Sequence, residues 1–337
     1  KTVELQWPRL DLFTWPGNTK AVPLYKKCGF FWEERDDAVH LMNFIPSVLQ
    51  IDLLKPFFNN HDWYETSQRV IEIKPDALKV NDHTYYEYKW EAGDEFVRIQ
   101  FERTGRGIRL IETQDILVEM NLLEFKLLEN QDHILTYHVE NRSKEPVEVS
   151  IKGASSSIIK HDLEDTFLLE NKWVKDVPAR VSMPANEPSP WKTHPTVGAE
   201  IEINKKTVSL KMGVFPKQAG KLHLRSLKKN WKPQSKGTIY LDIESQVREN
   251  TIWTVKLPQN EVVSWENPEV MERIAGFGKV SVPISAELIK NGFLSEEIGV
   301  TVEWENGRRA TFTTLLRIAL PGYGAKFGGE TDEHWIG

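Results

Sequence analysis

A single cysteine, Cys28, in 337 residues excludes an intrachain disulfide and favours the cytoplasm. Long apolar runs are absent too: none approaches the ~20 residues that cross a bilayer as a helix, and no signal-peptide pattern is visible. Positive charge is not in excess, since 43 Lys and Arg stand against 49 Asp and Glu, a formal net charge of −6 with the two signs interspersed. That excludes the basic stripe that nucleic acid demands. The pairs Lys26-Lys27, Lys205-Lys206 and Lys228-Lys229 are short and read as solvated surface or turns. The nine histidines form no metal spacing, so no metal is expected. No Gly-x-Ser-x-Gly occurs, and Ser155-Ser-Ser157 has nothing local to make it nucleophilic. No partner among nucleic acids and no membrane span is therefore expected.

What is present is β pattern. After about residue 63 the period becomes two. Val97, Ile99 and Phe101 alternate with Arg98 and Gln100, and Leu135, Tyr137 and Val139 with Thr136 and His138. Val147, Val149 and Ile151 follow, and Ile201 and Ile203 lead to Val208, Leu210 and Met212. Ile239, Leu241 and Ile243 are expected to pair with Trp253, Val255 and Leu257. Alternation of this kind implies sheets with one wet face, hence antiparallel sandwiches. Arg103-Thr-Gly-Arg-Gly107 reads as a hairpin turn rather than a phosphate cradle. In the hairpin at Glu305-Asn-Gly-Arg308, parity selects a three-residue loop that sets Trp304 opposite Arg308 and Val302 opposite Ala310, with Gly307 left-handed.

The expected fold is mainly β, antiparallel β-sandwich modules preceded by a short αβ segment. Three regions are expected: 1–62, 63–267 with a Pro-rich internal boundary at 178–195, and 268–337, this last a further β module expected to be incomplete. The prolines 178, 184, 188, 190 and 195 argue against a central strand there.

The αβ segment is the most specific stretch. Ala21, Leu24, Tyr25 and Cys28 recur at helical spacing, Asn18 suits an N-cap and Gly29 a left-handed C-cap. Cys28 is expected to be buried and inert on this apolar face. The pattern Asn-x-x-Ala-x-x-Leu-Tyr-x-Lys-x-Gly-Phe over residues 18–30 resembles the last helix of the GNAT superfamily, the acyl-CoA-dependent N-acetyltransferases. The resemblance covers about the first sixty residues. It implies acetyl-CoA as co-substrate, Asn18 and Ala21 beside its pantetheine, Tyr25 as the acid that protonates the departing thiolate, and a small-molecule or protein amine as acceptor. The family's pyrophosphate loop is missing, because only seventeen residues precede Asn18. The resemblance thus implies the carboxy-terminal part of such an enzyme, inactive alone. Leu122 to Lys152 resembles the opening of an immunoglobulin-like module in strand pattern.

The alternative is a non-catalytic binding or scaffolding β-sandwich protein, with carbohydrate as partner. Twelve tryptophans are many for this length, and indole faces serve as sugar platforms. Trp191 and Trp231, among prolines and lysines, are the candidates for exposure, while Trp253 and Trp304 suit a core. His61-Asp62, His161-Asp162 and Glu330-Thr-Asp-Glu-His334 are the remaining polar clusters and read as loops or surface.

Overall fold

A computed structural model describes residues 1, 4–5, 9–15, 18–33, 40–44, 46–68, 76–182, 194–227 and 230–320. The opening stretch contains β1 (Leu10–Thr14), α1 (Ala21–Lys27), β2 (Phe31–Glu33) and β3 (His40–Phe44), with β3 central and antiparallel to both neighbours. A 3-10 turn at Pro46–Gln50, α2 (Lys55–Asn60) and α3 (Trp63–Thr66) follow.

The rest is strand. The first group is β4 (Ser67–Gln68), β5 (Ala77–Val80), β6 (His83–Ala92), β7 (Glu95–Glu102), β8 (Gly107–Thr113), β9 (Ile116–Leu122) and β10 (Lys126–Leu128). The second is β11 (Asp132–Asn141), β12 (Val147–Ala154), β13 (Ile159–Lys160), β14 (Glu164–Leu169), β15 (Lys172–Val181), β16 (Thr196–Ile203), β17 (Lys206–Gly213) and β18 (Phe215–Lys217). The third is β19 (Gly220–Ser226), β20 (Ser235–Ser245), β21 (Thr251–Lys256), β22 (Val263–Trp265), β23 (Glu269–Ile274), β24 (Lys279–Leu288), β25 (Gly292–Trp304) and β26 (Arg309–Leu320). The protein is mainly β.

Two compact units result: residues 1–127 with 131–216, and 128–130 with 217–337. The chain thus divides at 216/217, whereas sequence pattern suggested 62, 178–195 and 267. Residues 183–193, the middle of the Pro-rich stretch, lie outside the described residues, as does the tail from 321.

In the first unit thirteen strands form one network running β13-β15-β11-β9-β8-β17-β16-β12-β14, extended from β8 through β7 and β6 to β4 and β5. Neighbouring strands of this network are antiparallel except for a single parallel contact of Ile108 with Leu210. The alternation anticipated for β7, β11, β12, β16 and β17 is present, and the inward residues make one core, from Val97 and Ile99 through Tyr137 to Ile201 and Met212. β11 and β12 belong to this network, so Leu122–Lys152 does not open a separate module. Pro178 lies inside β15 against expectation, but β13 covers only Ile159 and Lys160 there. Its carbonyl faces that outer edge, where it takes the ring of His161 at 3.0 Å, so the missing N–H breaks no rung of the ladder.

The second unit has two four-stranded sheets, β19-β20-β24-β22 and β23-β21-β25-β26, whose inward side chains share a core. The runs at 239–243 and 253–257 therefore do not pair: β20 bonds β19 and β24, while β21 bonds β23 and β25. Both are apolar because both face the core from opposite sheets. Trp231 is 1 % exposed and donates to Ser235 O at 2.9 Å, contrary to the expectation of exposure. The hairpin after Trp304 has the anticipated loop: Trp304 N donates to Arg308 O at 2.9 Å, Val302 faces Ala310, and Gly307 has φ 81°.

Candidate functional site

In α1 the sequence-derived residues fall as follows. Asn18 Oδ1 accepts from Ala21 N at 3.1 Å and Asn18 O from Val22 N at 3.0 Å, so Asn18 does cap the first turn. Gly29 has φ 90° and closes the helix. The face is not the one expected. Val22 and Lys26 are buried, Leu24 is 57 % exposed and Cys28 is exposed. The reason is electrostatic as much as apolar: Lys26 Nζ meets Asp76 Oδ1 at 2.8 Å, and the other Asp76 oxygen accepts from Trp32 N at 2.8 Å. That pair turns the helix toward residue 76. Tyr25 lies half-exposed beside Phe30, with ring centroids 6.3 Å apart.

The polar clusters have local roles. Asp62 caps α3 by accepting from Tyr64 N and Glu65 N at 2.8 and 2.9 Å. His161 is buried between Tyr137 OH, 2.8 Å from Nε2, and Pro178 O, so its Nδ1 donates and its Nε2 accepts. Burial holds its pKa below the usual imidazole range. Ser155 Oγ is spent on the backbone of His161. The tail cluster and Trp191 lie outside the described residues. The crevice lined by Gly29, Val48, Leu49, Trp63, Ser67, Tyr88 and Trp90 holds about 10 Å³, room for about one water, where small-molecule sites need hundreds. Among the described residues no group of three His, Cys, Asp or Glu could hold a metal.

The richest constellation is on the outer face of β6, β7, β8, β9 and β11. Register places Glu87 beside Gln100, Gln100 beside Leu110, Leu110 beside Glu119 and Glu119 beside His138. The next row along runs Lys89, Arg98, Glu112, Leu117 and Glu140. A bulge aims the last member. Gln100 pairs with Leu110 but Phe101 with Ile108, so Arg109 is the extra residue and joins the polar face while Ile108 and Ile111 stay in the core.

These side chains close a ring. Glu87 Oε2 accepts from Gln100 Nε2 at 2.8 Å and lies 3.5 Å from Arg98, which meets Glu112 at 2.6 Å. Arg142 bridges Glu112 and Glu140 at 2.8 Å each. His138 lies 3.5 Å from Glu140 and 3.8 Å from Glu119. Arg109 pairs with Glu119 at 2.8 Å, donates to Gln100 Oε1 at 2.9 Å and to Asn121, and lies 4.6 Å over the Tyr85 ring. Leu110 and Leu117, 3 % and 7 % exposed, sit at the register positions inside the ring. The hydrogen bond from Arg142 holds the Glu140 carboxyl below the usual range, and burial pushes the Tyr85 hydroxyl up. With His138 neutral the ring carries three guanidiniums and four carboxylates, so neither sign dominates.

A second polar centre lies behind the β7–β8 turn. Glu102, fully buried, accepts from Thr104 N and Thr104 Oγ1 at 3.0 and 2.6 Å through one oxygen, and from Gly105 N and Gly213 N at 2.6 and 2.8 Å through the other. Burial alone would raise its pKa. The His83 imidazole 3.9 Å away, the Thr104 hydroxyl and the amides of Thr104 and Gly105 together bring it below the usual carboxylate range. The glycine turn is thus an anion nest filled by its own carboxylate. Close approach demands the glycines: a Cβ on Gly105 would stand 2.3 Å from Gly213 N.

No family model and no curated protein matches this chain. Among solved structures, an alpha-2-macroglobulin of Salmonella matches 85 % of this chain at 9 % identity and TM-score 0.29, over 24 % of its own length. The native alpha-2-macroglobulin of Escherichia coli matches 85 % at 9 % identity and TM-score 0.30, over 25 % of its own. A red sea bream transglutaminase matches 59 % at 9 % identity and TM-score 0.23, over 31 % of its own. The chain spans about a quarter of the length of those macroglobulins. The GNAT resemblance is thereby corrected: no family model matches, and the described residues are mainly strand, with helix confined to short segments. The roles of Asn18, Ala21 and Tyr25, and acetyl-CoA itself, rested on that resemblance alone.

Proposed function

We propose that this chain is a non-catalytic binding protein of β-sandwich type whose ringed sheet face takes carbohydrate. The closed ring from Glu87 through Arg142 to Arg109 carries the reading. Guanidinium, amide and carboxylate groups stand side by side, already oriented by one another, over five strands about 19 Å across. A sugar hydroxyl is at once donor and acceptor, so it suits a face that offers both. A ligand of single charge meets repulsion from half the ring. Orientation in advance lowers the ordering cost of binding.

Affinity electrophoresis against a panel of neutral polysaccharides tests this. Retardation by at least one, weakened by Arg98→Ala and by Glu112→Ala while melting temperature changes little, is expected. A chain that migrates unretarded through every neutral polysaccharide would sink the reading.

A further inference from the structure

A short strap covers one edge of the first unit's sheet. Residues 155–163 leave β12, carry the two-residue strand β13 and lead into β14. β13 pairs with β15, Ile159 opposite Val181 and Lys160 opposite Arg180, and Ser182 N donates to Ile158 O at 2.9 Å. The strap places Ile159 and Leu163 in the core. His161 anchors it. Ser155 Oγ ties both backbone groups of that residue, accepting from its N at 2.9 Å and donating to its O at 3.1 Å. The ring is seated on β12, where a Cβ on Gly153 would come 2.9 Å from His161 Cδ2. Nδ1 donates to Pro178 O of β15 at 3.0 Å, and Nε2 accepts from Tyr137 OH of β11 at 2.8 Å. A carbonyl cannot donate, so the neutral ring fits in one tautomer and satisfies both nitrogens.

A second ring proton would sit on Nε2 and face the phenol. Tyr137 would then have to accept, and its own hydroxyl proton, fully buried, has no other partner among the described residues. An unpaired hydroxyl and a buried charge both cost stability. The groups that face the ring from β11, β15 and β12 are a phenol, a carbonyl and a glycine, none of them charged. Asp162, its acidic neighbour on the strap, is 71 % exposed and already paired with Lys160 at 2.7 Å, and Arg180 pairs with Asp132 at 3.0 Å. We propose that His161 is an acid-sensitive latch: its protonation ejects the ring from between Tyr137 and Pro178 and frees the strap from β15. Release uncovers the outer edge of β15 at Arg180 and Val181, where backbone groups become able to pair with another extended chain. Burial holds the imidazole below its ordinary value of about 6.5. The contribution of the neutral ring is therefore complete above that pH and is lost as pH falls below it. The latch is separate from the ringed face and does not depend on carbohydrate binding.

Backbone amide exchange in the full chain, followed by NMR between about pH 7.5 and 5 and corrected for intrinsic rates, tests this. Protection of Gly153, His161 and Ser182 should fall by a factor approaching about tenfold per pH unit below about 6.5, while the amides of β9 keep theirs. His161→Gln, uncharged at every pH, should flatten that slope whatever it does to the protection itself. Asp162→Asn should leave the slope in place. Protection that stays flat with pH or falls equally in β9 would overturn the latch. So would a slope that survives His161→Gln, or one that vanishes in Asp162→Asn.

Discussion

Glu102 shows how one side chain can hold a junction. Its two oxygens each take two donors, so Glu102→Gln cannot be accommodated by flipping. Either orientation sets an NH2 against two N–H or O–H groups. The variant should lose about 3 kcal/mol or more at pH 7. Because the folded pKa is depressed, the carboxylate's contribution is present above the ordinary value of about 4.3 and is lost as pH falls below it toward the folded value. Urea unfolding of both proteins at pH 7, 5 and 3 should show the difference shrinking only at the last step. A constant difference across all three would deny the carboxylate this role. Gly307 makes a contrasting case. Nothing lies within 4 Å of an added Cβ there, so space is not limiting and only φ is. Gly307→Val should therefore cost roughly 1 kcal/mol or more, and Gly307→Asn distinctly less, since Asn tolerates the left-handed region. Equal melting temperatures for the two variants would mean that conformation is not what the turn requires.

At the scale of elements, α1 is seven residues long, too short to persist without caps and tertiary contacts. Asn18→Ala should cost about 1 kcal/mol, seen as faster hydrogen exchange at Val22 to Lys26 by roughly fivefold, with β11 unchanged. Unaltered exchange in α1 would show that the Lys26–Asp76 pair alone holds it. The caps of this helix were legible because Asn18 and Gly29 act on their own backbone. Its buried face was not, because Lys26 is turned inward by Asp76, fifty residues away. The same divide runs through the sheets. Strand existence and the Glu305–Gly307 loop followed from alternation and parity, which are local. Partnership did not: the runs at 239–243 and 253–257 look alike whether they pair or face across a core. The ring was half-visible, in that Arg98, Gln100 and His138 occupy outward positions of their strands. Arg109 was hidden, because Ile108-Arg-Leu-Ile111 fits two phases and only the bulge against Gln100 and Phe101 chooses one.

At the scale of the molecule, each unit buries its own apolar residues, one core running from Phe31 to Val214 and the other centred on Trp253 and Val302. Separate cores imply separate cooperative transitions. Trp253 is the sharpest probe. It is fully buried, packs edge-on to Phe312 at 6.0 Å, and donates to Thr251 Oγ1 at 2.9 Å. Trp253→Ala leaves a large cavity and an unpaired hydroxyl, a loss of about 3–5 kcal/mol. For a unit of this size each kcal/mol moves the midpoint by roughly 4 °C, so one calorimetric transition should fall by about 10 °C or more. The other should stay where it was, and Glu102→Gln should move that one instead. The two substitutions thus exchange which peak shifts, a pattern that general destabilisation cannot produce. A single peak displaced as a whole by both variants would mean that the units unfold as one, and that the boundary at 216/217 divides contacts but not cooperativity.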